Sequence, residues 1–102
     1  MKHFLLFYDV GDDYVEKRAQ FRDAHLRKAW ESHARNELIL GGALADPTDG
    51  AVLLFRAESQ RVVEDFARSD PYVENRLVTR WRVREWATVA GQTAAHPLRP
   101  CP

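Results

Sequence analysis

Glu37-Leu38-Ile39-Leu40-Gly41-Gly42-Ala43-Leu44-Ala45-Asp46-Pro47-Thr48-Asp49-Gly50-Ala51-Val52-Leu53-Leu54-Phe55-Arg56 decides how this chain folds. Its middle, Asp46 to Gly50, is turn chemistry: Asp, Pro and Gly each favour a backbone that cannot continue a strand. The apolar runs on either side are too short for helices and read as strands, Glu37–Leu44 and Ala51–Arg56, joined as a hairpin. Gly41-Gly42 marks a bulge or a close backbone approach. A central hairpin leaves the flanking segments to supply the remaining layers.

Upstream, Asp13-x-x-Glu16 has the spacing of a capping box and predicts a helix from about residue 13 to about Arg35. Val15, Ala19, Leu26, Ala29 and Trp30 fall on one stripe at helical spacing. His3 to Tyr8, before it, reads as a buried aromatic-rich strand. Downstream, Ser59 is positioned to cap a second helix running through Arg68, with Val62, Val63 and Phe66 inward. Asp70-Pro71 is an N-cap/N1 pair for a short turn over 70–75, and Leu77 to Trp86 is the last strand. The order β-α-β-β-α-β is that of an α+β ferredoxin-like sandwich, a four-stranded antiparallel sheet with two helices on one face. One domain over residues 1–90 is expected. The small, polar, proline-rich segment 91–102 is expected to form a flexible tail.

Phe4-Leu5-Leu6-Phe7, Leu38-Ile39-Leu40 and Val52-Leu53-Leu54-Phe55 are apolar at consecutive positions, hence on both faces of the sheet. Two helices cover one face, so the other predicts a homodimer through the sheet. Arg80, Arg82 and Arg84 alternate on the last strand, so one face of it should be wet or paired with acids.

With 15 Lys plus Arg against 15 Asp plus Glu in 102 residues, the chain has no basic excess and no nucleic-acid partner is expected. The N-terminal apolar run is too short for a signal peptide or a membrane span. The only cysteine, Cys101, excludes a disulfide framework. A cytoplasmic protein without membrane contact is the expectation.

Chemistry concentrates at two places. His25 sits on the long helix near Tyr14 and Phe21, at the edge of the stripe, where an imidazole can reach into a cleft or simply satisfy a boundary hydrogen bond. Asp70 is explained by capping alone, yet a carboxylate has two oxygens and can serve a histidine as well. A paired His25 and Asp70 would be a minimal proton-transfer device. Arg22, one turn before His25, either snorkels beside the sheet or holds an acid or an anionic ligand. Tyr8 and Tyr72 are candidates to line a pocket for a flat ligand. His33 lies about 12 Å along the axis from His25 and cannot share a metal with it. No cluster has metal-ligand spacing, and no phosphate loop or dinucleotide fingerprint is present, so neither metal nor cofactor is expected.

The chain resembles the YciI-like (YCII-related) family of the dimeric α/β-barrel superfamily. The resemblance rests on His3–Tyr8, Arg22-x-x-His25-Leu26, Leu38–Leu44, Gly50–Phe55, Asp70-Pro71-Tyr72 and Trp81–Trp86, in that order over residues 3–88. The family usually has Gly-Pro where this chain has Gly42-Ala43. The resemblance implies a sheet-to-sheet dimer and a His–Asp active site at His25 and Asp70. It also implies kinship with an enzyme that removes chloride from a chlorinated hydroxyquinol, and on the same fold with cofactor-free monooxygenases and muconolactone isomerase. Three classes follow. The first is a cofactor-independent enzyme moving protons on a small aromatic or enolisable substrate, by elimination or isomerisation. The second is a non-catalytic dimeric ligand-binding or accessory module. The third is a cofactor-free monooxygenase.

Overall fold

The computed structural model describes residues 1–101. Its elements are β1 (Lys2–Val10), α1 (Tyr14–Ala34), β2 (Leu38–Ala43), β3 (Gly50–Ala57), α2 (Gln60–Ser69), the single-turn α3 (Pro71–Glu74) and β4 (Val78–Trp86). The strands form one antiparallel sheet in the order β2-β3-β1-β4. The expected ferredoxin-like order is therefore present, with α3 inserted before the last strand.

Register sorts each strand's side chains into two faces. Phe4, Leu6 and Tyr8 of β1 stand beside Phe55, Leu53 and Ala51 of β3 and form the buried layer beneath the helices. Val63, Phe66 and Ala67 of α2 close that layer, with Phe66 edge-on to Phe55 at 5.0 Å. Leu5 and Phe7 point the other way, beside Leu54 and Val52, and Leu40 of β2 pairs with Leu54. This second face is apolar at its centre, as the doubly apolar strands predict, and no helix of the described residues covers it. Arg80, Arg82 and Arg84 stand on the same side, opposite Asp9, Phe7 and Leu5. All three are exposed, and the Arg82 guanidinium lies 4.5 Å from the centre of the Phe7 ring.

Several local expectations need correction. The helix stripe is misplaced: Val15, Leu26 and Trp30 are 52%, 43% and 67% exposed, and of the five residues only Ala29 is partly buried. The inward line is instead Tyr14, Phe21, His25, Ala29 and Ser32, spaced by three, four or seven residues. Polar and aromatic groups face the sheet here, so a count of aliphatic residues points to the wrong side. Neither expected helix cap is made by a side chain at Asp13 or Ser59. Asp13 instead pairs with Lys17 at 2.8 Å, which holds the Asp13 carboxyl below its ordinary range. The irregularity in β2 lies between Leu38 and Leu40, not at Gly41-Gly42. There the chain leaves α1 tightly: Leu38 N–H donates to Ser32 Oγ at 3.2 Å, and His33 Nδ1 bonds the Leu38 carbonyl at 2.8 Å.

Beyond β4 the described chain has no helix or strand. His3 Nδ1 meets Thr88 Oγ1 at 2.6 Å, Ala95 N–H donates to the same oxygen at 2.8 Å, and Leu98 N–H donates to the Val89 carbonyl at 2.8 Å. Burial, together with the positive charges of Arg56 and the N-terminus, lowers the His3 pKa from its ordinary value.

Candidate active site

Asp70 is the hinge of the site. It ends α2 in an extended conformation and begins α3. Pro71 has no N–H to satisfy, so the Tyr72 N–H is the first donor available to the cap. That N–H donates to Asp70 Oδ1 at 3.0 Å. The capping expectation is met, and the carboxylate has capacity left. Oδ1 also meets His25 Nδ1 at 2.8 Å, while Oδ2 accepts from the Tyr8 hydroxyl at 2.6 Å. Three donors from three elements, β1, α1 and α3, converge on an acid with no solvent exposure. A carboxylate buried without such partners would cost several kcal/mol, of order 3–5 when one charged partner is lost.

This arrangement fixes the imidazole. A carboxylate at Asp70 offers only acceptors, so His25 donates from Nδ1–H, and the neutral form of the ring has its lone pair on Nε2. Nε2 has no hydrogen-bond partner among the described residues. The ring is stacked on Tyr72 at 4.0 Å and 10°, and Tyr72 is itself held edge-on to Tyr14 at 5.8 Å. Stacking and the Nδ1 bond together leave the imidazole little freedom to turn.

His25 lines a cleft of about 390 Å³ between α1 and the β2–β3 edge of the sheet. Tyr14 and Tyr72 form part of the wall beside it, Leu53 and Ala51 lie on the sheet side, and Trp30 stands at the rim. Arg22 is exposed and also lines the cleft. Its charge favours ionisation of the nearby Tyr72 hydroxyl, opposing the rise in pKa that burial and Tyr14 impose. Four of the five sequence-predicted site residues, Tyr8, Arg22, His25 and Tyr72, therefore line the cleft, and the fifth, Asp70, is buried in contact with Tyr8, His25 and Tyr72. Tyr8 differs from expectation in one respect: its ring borders the cleft, but its hydroxyl is directed at Asp70. Burial and the Asp70 charge push the Tyr8 pKa far above its ordinary value. Arg18 was not anticipated. It lines the cleft four residues before Arg22, with its guanidinium 5.4 Å from the Tyr14 ring centre. Its i,i+4 relation to Arg22 was the available signal.

The YCII-related domain matches residues 1–87. The chain belongs to the YCII-related family. Three solved structures share the fold of this YCII-related protein. One is 5-chloro-2-hydroxyhydroquinone dehydrochlorinase (TftG) from Burkholderia phenoliruptrix AC1100, in complex with 2,5-dihydroxybenzoquinone. It is 23% identical with a TM-score of 0.72, covering 84% of this chain and 94% of that one. Protein Atu4242 from Agrobacterium tumefaciens is 13% identical at a TM-score of 0.57, covering 93% and 98%. Rv0793 from Mycobacterium tuberculosis is 16% identical at 0.52, covering 89% and 97%. Among curated proteins, none matches the chain.

Proposed function

We propose that this YCII-related protein is a cofactor-independent enzyme that moves a proton on a small aromatic or enolisable substrate, with His25 as general acid–base. The observation that carries the reading is the 2.8 Å contact from His25 Nδ1 to buried Asp70, which leaves Nε2 as the unpartnered nitrogen of a cleft-lining ring. Nε2 accepts a proton from a substrate hydroxyl or an acidic carbon. The electron pair left behind enters the ring or the adjacent carbonyl system. It then either expels a leaving group as its anion, which is elimination, or takes a proton back at another atom, which is isomerisation. In the first case the imidazolium returns its proton to water; in the second, to the substrate. Asp70 stabilises the imidazolium and holds the tautomer, as the acid of a triad does. Arg22 positions the ligand, Tyr72 holds the His25 ring by stacking, and Tyr8 positions Asp70. The fold shared with a dehydrochlorinase makes elimination the form to try first.

The same proposal takes the working unit as a homodimer joined through the Leu5, Phe7, Val52 and Leu54 face, with residues 1–90 as its domain and 91–102 as an appended tail. It takes the cytoplasm as the compartment, because a lone cysteine supports no disulfide framework.

The test compares Asp70→Asn, His25→Gln and Tyr8→Phe, each confirmed as folded by circular dichroism. Turnover is assayed on a panel of chlorinated and unchlorinated hydroxyquinols and hydroxybenzoic acids. The first two variants should lose about a hundredfold or more, the usual scale of general acid–base contributions. Tyr8→Phe should lose much less. Nitrogen-15 shifts of His25 should report the Nδ1–H tautomer in the parent protein. Full turnover and an unchanged tautomer in Asp70→Asn would reduce Asp70 to a helix cap and leave a ligand-binding module as the better reading.

A further inference from the structure

The residues that line the cleft include Arg18, Arg22, His25 and His33, but no Asp or Glu among the described residues. The chain as a whole is balanced at 15 against 15, so the asymmetry belongs to the cleft. Neither arginine takes part in the ion pairs formed among the described residues. Asp70, in contact with His25, is fully buried and already engaged by three donors. A cleft lined by charges of one sign, without ion-pair partners, raises the local concentration of anions.

Spacing on α1 sets where that anion sits. Arg22 is three residues and Arg18 seven residues before His25, about 5 Å and about 10 Å along the helix axis. The Tyr14 and Tyr72 rings line the same cleft. A guanidinium fork matches a planar carboxylate in a bidentate manner.

We propose that the ligand of this cleft is a small aromatic or enolic acid. Its carboxylate is held by Arg22 and Arg18, about one ring's width from the position at which His25 Nε2 exchanges a proton. Arg18 thereby becomes a specificity-determining residue alongside Arg22. The distance between carboxylate and moved proton rests on the role given to His25 above; the preference for an anion does not.

The experiment is calorimetric titration with benzoate and 4-hydroxybenzoate against benzamide and 4-hydroxybenzamide, with phenyl phosphate as a third arm. The acids should bind about tenfold or more tightly than the matched amides, the scale of a charge-assisted hydrogen bond. That preference should shrink as salt is raised. Arg18→Gln and Arg22→Gln should each reduce the acid-over-amide ratio severalfold, whereas Arg27→Gln, exposed on the same helix but outside the cleft, should leave it intact. Equal binding of acid and amide, a preference that survives the Arg18→Gln/Arg22→Gln double variant, tighter binding of phenyl phosphate, or no binding of either acid at millimolar concentration would each overturn the proposal. Loss of acid preference in a protein whose turnover still requires His25 and Asp70 would overturn the carboxylate site alone. An intact preference with turnover indifferent to Asp70→Asn would instead overturn the proton-transfer reading.

Discussion

Asp70 satisfies three donors with two oxygens, so replacing any one donor exposes a different debt. Tyr8→Phe leaves Oδ2 buried without its 2.6 Å partner and should cost about 1–3 kcal/mol in urea unfolding. The same pair predicts an alkaline limit. The folded-state pKa of Tyr8 lies far above its ordinary value, so the protonated phenol's contribution is fully present below about pH 10 and is lost as pH rises beyond it. Unfolded chains then release a proton that folded ones keep, at about 1.4 kcal/mol per pH unit. The difference between parent and Tyr8→Phe stability, followed from pH 9 to 11 (roughly spanning the free phenol's titration), should hold steady at first and then narrow, approaching that slope above about pH 10. His3 gives the opposite sign on the acid side. Its lowered pKa means its contribution is present above about pH 6.5 and declines as pH falls below it. The Ala95 amide resonance, which reports the Thr88 turn, should shift only below the ordinary histidine range, where the folded-state imidazole takes up its proton, and should not do so in His3→Gln.

At the scale of elements, the site depends on three segments arriving at one point, and β3 controls one of them. A Cβ on Gly50 would lie 2.8 Å from the Tyr8 carbonyl oxygen, a contact that backbone cannot relieve without moving β1 or β3. Gly50→Ala should therefore cost about 1–3 kcal/mol and lower Tm by several degrees, whereas Gly42→Ala, with nothing within 4 Å, should be nearly silent. Turn chemistry and apolar runs made the hairpin and the helix boundaries legible, because those signals are local. The inner face of α1 was not legible, because Tyr14, His25 and Ser32 face the sheet for reasons supplied by their partners. Those partners are the Tyr72 ring, the Asp70 carboxylate and the Leu38 N–H, which lie up to 58 positions away in sequence. Leu26 and Trp30 look like core by composition and instead line the cleft, 43% and 67% exposed.

At the scale of the molecule, the bare sheet face sets the expected assembly. Leu5, Phe7, Val52 and Leu54 are partly buried by their own neighbours, and Leu40 is 72% exposed beside them. A standard interface removes about 800 Å² from each partner, and a charge placed inside it lacks a counter-ion. Leu54→Asp should raise the dimer dissociation constant by about a hundredfold or more, read by sedimentation velocity, while sparing the inner core. A parent protein that sediments as a monomer at micromolar concentration would remove the dimer from the proposed function. The sequence by itself determined the order of elements, the doubly apolar strands and the cap at Asp70, since periodicity and local hydrogen bonding act over a few residues. Only the tertiary structure decided that Asp70 meets His25 and Tyr8, that His25 stacks on Tyr72, and that two arginines share a cleft without acids. Those contacts join residues dozens of positions apart, and their energies depend on burial that no short segment can create alone.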